Sequence, residues 1–599
     1  MPSPAPSTGP TSVPAGDAYK RQRATAEYSC QDDAPFIITQ HKYRSQQFAS
    51  LYFSRLATLR PVLLAAAREK WPHLPVSSVL DLADKGECVV VGTLYKHMKL
   101  KPSILQDYGR ERSSAPLVAV GGGSVVGADD TVVLEDERGR VKLVGDVFVP
   151  AAWVTGVVVA VRGCEDSKGN FRAMEVLEPG MPWQDFFPTA AAADTRAAAN
   201  QANLLCCVAY LPTPLSPATW PSSRVSICQS PPPLLGLRRR PPPPPAGAPL
   251  PSQGHGAEGA AEGGGDAMVL EEMLLDVLTG HVHSDEEERL SAGIVRVVIA
   301  GDSCSFSHLP HSLHDTVNST SLMHRDARAM AAPVKALDTF LAELSAAVPV
   351  DVMPGECDPA NYSLPQQPLH PCLLPLASRR ASVIRATNPH HFTLGGVRFL
   401  GTSGQNIHDM GRLCLARLLR TPSRPAAAAA AGAADADASA AGDAGGVSSS
   451  GGGKAEPMEG VERQEEGSKG REGSAEEGRG DEGEGREAEE EADVLELMQR
   501  CLEWRHIAPS APDTLGVYPF QLDDPFVLTT CPHVFFAGNQ PRFATRLVRG
   551  PQKQVVLLVA IPKFSETCQA VLVDLDSLEC RVLSVACPPF PPSSPSPSA

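Results

Sequence analysis

Apolar side chains in this chain recur first at helical spacing, then at strand spacing, and then in an alternation of the two. Between Gln46 and Trp71, Phe48, Leu51, Tyr52, Leu59, Leu63 and Leu64 lie on one helical face. Pro61 suits the first turn of a helix, so two short helices are expected, with the stripe turned toward a core. From Glu87 to Val176 the period becomes that of strands: CVVVGTL at 88–94, TVVLEDERGRVKLVGD at 131–146, TGVVVAVRG at 155–163 and FRAMEV at 171–176. Short strands joined by turns at Glu137–Arg140 and Asp166–Asn170 predict a small closed all-β barrel of OB type. Further on, a helix at about 268–278, a strand at Ile294–Ala300, a helix at about 334–346 and a strand ending at Met353 form an α/β pattern. A hairpin at 391–401 turning on Gly395-Gly396, a helix from an Asp493 cap through His506, and strands at 533–537, 554–560 and 570–585 complete it.

Composition divides the chain. Residues 1–40 are expected to be a disordered tail and 41–185 the helices with the barrel. Residues 186–266 form a Pro/Gly-rich linker or insertion of low complexity, within which Leu204–Ala209 could be the first strand of the next domain. That domain, α/β in class, spans 267–588 and is interrupted at 421–491 by an Ala-rich and then Glu-rich stretch that cannot bury enough apolar surface to fold. Residues 589–599 are a tail. The net charge of −16 is concentrated: Lys454–Asp493 holds 16 Asp/Glu against 6 Lys/Arg, so this segment supplies −10. The mildly acidic remainder argues against tight independent nucleic-acid binding, which draws on Lys and Arg. Of the barrel, only Tyr95, Lys96, His97, Lys99 and Lys101 offer a modest basic and aromatic set. Lys20-Arg21-Gln22-Arg23 and Arg238–Arg240 are weak nuclear-import signals. Fifteen Cys without one Cys-x-x-Cys predict neither a zinc ribbon nor a disulfide framework, and no apolar run approaches a bilayer span, so no membrane partner is expected.

Candidate chemistry gathers where strands end. Val348–Met353 runs into Pro354-Gly355-Glu356-Cys357-Asp358-Pro359, at the edge of an α/β sheet where ligands bind. A two-metal phosphoesterase would carry Gly-Asn-His-Asp or Gly-Asn-His-Glu there. Gly355, Glu356, Cys357 and Asp358 stand instead. Gly301-Asp302 keeps one carboxylate, no Asp-x-His occurs, and Gly538-Asn539-Gln540-Pro541 lacks the histidines of a Gly-His-x-His loop. One aspartate cannot hold two ions about 3.5–4 Å apart. Gly280-His281-Val282-His283 spells that last motif but precedes Gly301-Asp302, and reads as a helix stop. His308, His311 and His314 with Asp315 read as a loop cluster. The rival to an inactive site is a metal-dependent phosphoesterase using Asp302, Asp358, His281 and His283.

Several strings, FASLYFSRLATLRPVL, CVVVGTLYKHMKLKPSIL, VVLEDERGRVKL, VPVDVMPGECDPANYSLPQQPLHPC, GVRFLGTSGQN, APDTLGVYPF and LVRGPQKQVVLL, resemble the B-subunit family of the replicative DNA polymerases alpha, delta and epsilon, and within it that of delta. The resemblance covers about 350 residues, from Phe48 to about Cys580. It implies an OB-fold barrel packed on a calcineurin-like phosphoesterase domain that has lost its catalytic residues, with Gly301, Asp302, Gly355, Glu356, Cys357, Asp358, Gly538 and Asn539 as vestigial loops. It also implies a nuclear scaffold without catalytic, metal or cofactor sites, which bridges the catalytic subunit's iron–sulfur C-terminal domain and further regulatory subunits and meets DNA only indirectly or weakly. The chain departs from the family at the Pro-rich run after Ala209, which is either a lineage-specific loop or non-coding sequence retained in the gene model. Peptides from Tyr210 to Gln253 in a digest of the native protein are expected if it is a loop, and their absence, with 204–209 joined directly to later sequence, would mean the other.

Overall fold

The computed structural model describes residues 22–39, 47–82, 86–101, 124–185, 203–209, 264–281, 284–304, 327–415 and 494–585. Order begins earlier than the sequence suggests. Residues 22–39, expected within a disordered tail, carry a short strand β1 (Tyr28–Ser29) and a 3-10 turn (Gln31–Phe36) that buries Phe36.

Helix α1 (Ala49–Lys70) is one continuous helix, not the expected two. Leu56, Leu59, Leu63 and Ala67 stay in phase across Pro61 and bury against Val89, Val91, Val158 and Ala160. Each large apolar side chain so buried is worth about 1.5–3 kcal/mol, whereas an interior proline costs about 3 kcal/mol. The stripe therefore wins. Phe48 lies outside it, 42 % exposed.

The residues under α1 belong to a six-stranded barrel. Its strands are β2 (Val76–Ser77), β3 (Cys88–His97), β4 (Thr131–Glu135), β5 (Arg140–Val144), β6 (Val158–Glu165) and β7 (Phe171–Leu177), in the order β2-β3-β4-β5-β7-β6. A β3–β6 pairing closes the sheet on itself, as the hairpin pattern predicts.

Two further six-stranded sheets pack face to face. The first contains β8 (Leu204–Val208), β9 (Ile294–Ala300), β10 (Val350–Met353) and β11 (Val383–Arg385), all parallel neighbours. The second contains β12 (His390–Leu394), β13 (Val397–Thr402), β14 (Val534–Gln540), β15 (Ala544–Arg549) and β16 (Val555–Pro562), with β13, β14 and β16 parallel and β1 added at its edge. β17 (Gln569–Asp574) and β18 (Cys580–Ser584) complete the first sheet, in the order β11-β10-β9-β8-β17-β18. The apolar run 570–585, read as one strand, is a hairpin. The Asp574 carboxylate accepts from the amides of Asp576 and Ser577 and so turns the chain.

β8 is buried on both faces, which explains its unbroken apolar sequence. Leu205 and Cys207 face Phe399 and Phe536 of the opposite sheet, while Leu204, Cys206 and Val208 face helices α2 (Gly264–Thr279) and α4 (Ala327–Ala347). Helix α3 (Asp285–Gly293), unread in the sequence, is announced by a capping box of Ser284 and Glu287. On the outer side of the second sheet, α5 (Gln405–Leu413) and α6 (494–503) share a core with the barrel, through Met410, Leu413, Met498, Leu502 and Trp504. The expected continuation of α6 through His506 gives way to a turn and a bridge from His506 to Val527, and Asp493 lies outside the described residues.

Beside this shared apolar core, the seam between barrel and sandwich holds buried polar ties. Arg55 of α1, with 1 % of its side chain exposed, donates to the Asp524 carboxylate at 2.9 Å and to the carbonyls of Gly156, Pro509 and Ala511 at 3.0, 2.9 and 2.9 Å. His506 Nε2–H donates to the same Asp524 at 2.9 Å, and its Nδ1 accepts from Ala508 N–H. Burial and the charge of Arg55 push His506 down to about 4, so it is the neutral imidazole that this geometry needs. Lys96 makes a second tie: its ammonium donates to the Leu413 carbonyl at 2.7 Å and lies 3.5 Å from Asp130. Removing one member of such a buried pair strands the other, at about 3–5 kcal/mol. Arg55→Ala is therefore expected to lower unfolding stability by about 3–5 kcal/mol in urea titrations followed by tryptophan fluorescence, and a loss under about 1 kcal/mol would contradict the role given to this seam.

Candidate strand-end site

The parallel strands of both sheets deliver their C-terminal ends to one place. β9 ends in Gly301-Asp302, β10 in Pro354-Gly355, β13 in Ser403-Gly404 and β14 reaches Gly538-Asn539. Cross-sheet contacts fix the convergence: Gly301 packs against Ser403 and Gly538 against Ala300 and Ala209, while within the second sheet Asn539 Nδ2 donates to the Ser403 carbonyl at 2.8 Å. The structure thus brings together Gly301, Asp302, Gly355, Glu356, Cys357, Asp358, Gly538 and Asn539, the residues singled out in the sequence.

Their chemistry is turned inward. Asp358 is buried, and one carboxylate oxygen accepts from Cys304 N–H at 2.8 Å and Ser303 Oγ at 3.0 Å. The other accepts from Gly355 N–H at 2.8 Å and Ser303 N–H at 3.2 Å. Asp302, also buried, accepts from Cys357 N–H at 2.7 Å. Gly355 must lack a side chain, because a Cβ there would sit 2.2 Å from the Asp302 nitrogen. Burial raises both carboxyls above the usual carboxylate range, and for Asp302 the Asp358 charge adds to the rise while Lys563 opposes it. Glu356 and Cys357, which stand where an amide and an imidazole would be required, are exposed.

Sequence reasoning missed the amides that fill the remaining space. Asn388 Nδ2 lies 2.8 Å from Gln366 Oε1, 2.8 Å from Ser403 Oγ and 2.7 Å from Gln405 Oε1, and Asn388 Oδ1 accepts from Ser403 N–H. Gln366 Nε2 donates to the Gly355 carbonyl at 2.8 Å, which ties this cluster to the β10 loop. The signal was present in Ser403-Gly404-Gln405, directly after a strand, but no residue type there carries a charge to draw the eye. Among the described residues no three His, Cys, Asp or Glu side chains converge in a way that would hold a metal ion.

Residues of the rival reading do not join this set. Gly280 takes φ +86° at the end of α2, the left-handed stop expected there, and packs against Ser291 at the end of α3. His281 therefore lies by the N-terminal end of β9, whereas Asp302 follows its C-terminal end, about 20 Å along a strand of this length. Its Nδ1 is 2.7 Å from Thr279 Oγ1. His283, His308, His311, His314 and Asp315 lie outside the described residues.

A second concavity, of about 600 Å³, lies between α1 and the barrel and is lined by Tyr52, Phe53, Tyr95 and His97 with Glu135, Asp136, Arg140 and Asp513 on its walls. Its carboxylates oppose a phosphate backbone. Lys96, expected as part of a basic surface, is buried in the seam, and Lys99 and Lys101 are paired with Asp129 and Asp513 at 2.6 Å each.

Comparison with known families agrees with this layout. A family model described as the DNA polymerase delta subunit OB-fold domain matches residues 47–176, and one for the B subunit of DNA polymerases alpha and epsilon matches residues 265–545. The chain is 35 % identical to the DNA polymerase delta small subunit of Arabidopsis thaliana, over 94 % of this chain and 96 % of that protein. It is 35 % identical to the protein of the same description from Oryza sativa subsp. japonica, over 94 % and 98 %. With the DNA polymerase delta small subunit of Saccharomyces cerevisiae it shares 26 % identity over 91 % of each.

The two aspartates should answer differently to neutralisation. Asp358→Asn places an amide against backbone donors and should destabilise the fold by about 1.5–3 kcal/mol. Asp302, with its carboxyl raised, takes up a proton on folding, so its contribution to stability falls as pH rises through and above the ordinary carboxylate range. Asp302→Asn should therefore be neutral or stabilising at pH 7.5 and should flatten that slope. Equal destabilisation of both variants in thermal unfolding between pH 5 and 8 would contradict the assignment.

Proposed function

We propose that this chain, which belongs to the family of DNA polymerase delta small subunits, is a non-catalytic scaffold of the polymerase that acts in nuclear DNA replication and repair synthesis. Its sandwich is read as a calcineurin-like phosphoesterase domain whose catalytic loops have been rebuilt. The strand ends support that reading. The carboxylate after β10 is committed to four donors of its own chain, the neighbouring one is held toward its neutral form, and amides fill the space between. Strand β8 carries no acid between Leu204 and Ala209, the last of its residues described.

With its chemistry inward, the chain offers other proteins its surfaces. The barrel and sandwich are joined by Arg55 and Lys96 through buried contacts, so partners bound to the two parts would be held in fixed relation. The partners proposed are the catalytic subunit, through its iron–sulfur C-terminal domain, and further regulatory subunits. Specific interfaces of this kind bury at least about 1,000 Å². No helix among the described residues is long and apolar enough to cross a membrane. Co-expression of the full chain with the catalytic subunit's C-terminal domain, followed by size-exclusion chromatography, should give one peak at equal stoichiometry. Two separate, folded peaks would contradict the scaffold role.

A further inference from the structure

Residues 22–39 cross three layers of the molecule and are held at each by a different kind of contact. At the first, Arg23 donates to the carbonyls of Leu278, Ser291 and Ile294 at 2.8, 2.9 and 3.0 Å, where α2 and α3 end, and Ala24 N–H donates to the Ala292 carbonyl. Cationic groups suit such helix ends. At the second, β1 pairs with the outer edge of β12, in register Tyr28 with Leu394 and Ser29 with Thr393. At the third, Gln367 donates to the Phe36 carbonyl at 2.9 Å and accepts from Ile38 N–H at 3.0 Å, while Phe36 packs on Phe526 beside the Arg55 seam.

Between these contacts runs a buried ion chain. Asp33 lies 2.6 Å from Nδ1 of His390 and also accepts from His391 N–H. His390 Nε2 is 3.4 Å from Asp351 of β10, and Asp351 is bound at 2.8 Å by both Nε and Nη2 of Arg296 from β9. The Arg296 guanidinium lies over the Tyr28 ring of β1 at 3.3 Å, and Phe392 stacks on His390. Asp33 is the one member of the Asp33–His390–Asp351–Arg296 chain that the crossing segment supplies. The other three belong to the sandwich.

We propose that residues 22–39 are a clasp that opens and closes as a unit, locked by the Asp33–His390 contact, and that its release bares the outer edge of β12 and frees Gln367 of the loop after the strand-end site. Three physical points favour a separate unit. The clasp adds only a two-residue strand to the sheet, so few ladder bonds resist opening. Of its apolar side chains only Phe36 is fully buried, Ala24, Ala26, Tyr28 and Cys30 being half-buried against the sandwich, and its polar side-chain contacts act at separate points. Segments with few buried apolar contacts open below the global unfolding free energy. Protonation should tune the lock. Burial by itself would lower the His390 pKa, but hydrogen bonds to Asp33 and Asp351 carry it to about 9. Because the proton binds more tightly in the closed state, the lock is fully present below the ordinary histidine range near 6.5 and weakens as pH rises through about 9.

Hydrogen exchange of the full chain, read by mass spectrometry, tests this. Peptides covering 22–39 and 390–395 should exchange at least tenfold faster than β9 peptides covering 294–300 in the wild type. Asp33→Asn should speed the first two by a further tenfold or more and leave 294–300 unchanged. Arg23→Ala, which acts at the helix ends and leaves the ion chain intact, should speed 22–39 alike and serves if the first variant does not fold. With the intrinsic pH dependence divided out, wild-type protection of 22–39 should fall between about pH 6.5 and 9 and that of Asp33→Asn should not. Equal protection of 22–39 and 294–300 in every variant, or an Asp33→Asn clasp indistinguishable from wild type, would overturn the proposal.

Discussion

A buried carboxylate with every oxygen lone pair spoken for sets the character of this molecule. Parallel strands of two sheets end side by side, and their last amides point into one small volume, where unpaired donors would cost about 1–3 kcal/mol each. Such a concentration of donors asks for acceptors. Asp358 supplies two oxygens from inside the chain, binding the loop after β9 to the loop after β10. Gln366, Asn388, Ser403 and Gln405 extend the same solution to the second sheet. The edge at which sheets of this kind usually hold ligands has become the place where the two sheets are fastened together.

That fastening gives the rest of the chain something rigid to hang on. The barrel is fixed to the sandwich by groups removed from water, Arg55 with Asp524 and Lys96 with the end of α5, so it cannot swing without stranding charges. The two histidines in buried ion pairs divide the labour. His506 sits between a guanidinium and a carboxylate and is neutral, which makes it a fixed part of the seam. His390 sits between two carboxylates and is charged, which makes it a lock for the segment that brings Asp33. The same residue type serves opposite ends because its neighbours differ in sign.

Strands buried on both faces were plain in the sequence. Leu204–Val208 stood out as an isolated apolar run and proves to be central in its sheet, and Ile294–Ala300 and Val350–Met353 were legible for the same reason. The barrel strands followed from their hairpin turns. Where tertiary burial overrides a local rule, the sequence misled: Pro61 suggested a helix start, yet the stripe through Leu56, Leu59 and Leu63 carries α1 past it. Lys96 resembled a surface base because nothing nearby in sequence shows that Leu413 lies 317 residues on. The ordered segment 22–39 was invisible for a like cause, since Arg23, Asp33 and Phe36 find their partners more than 250 residues away. At the strand ends the charged residues could be named and their loops paired, but not the amides that complete them.

The role proposed for the strand-end carboxylates is cohesion and not metal chemistry. The most direct test titrates Mn²⁺ into the full chain by calorimetry and measures hydrolysis of bis(p-nitrophenyl) phosphate on the same sample. No stoichiometric binding at the strand ends and no turnover above buffer are expected. Two ions bound per chain, with turnover that disappears in Asp302→Asn, would contradict it.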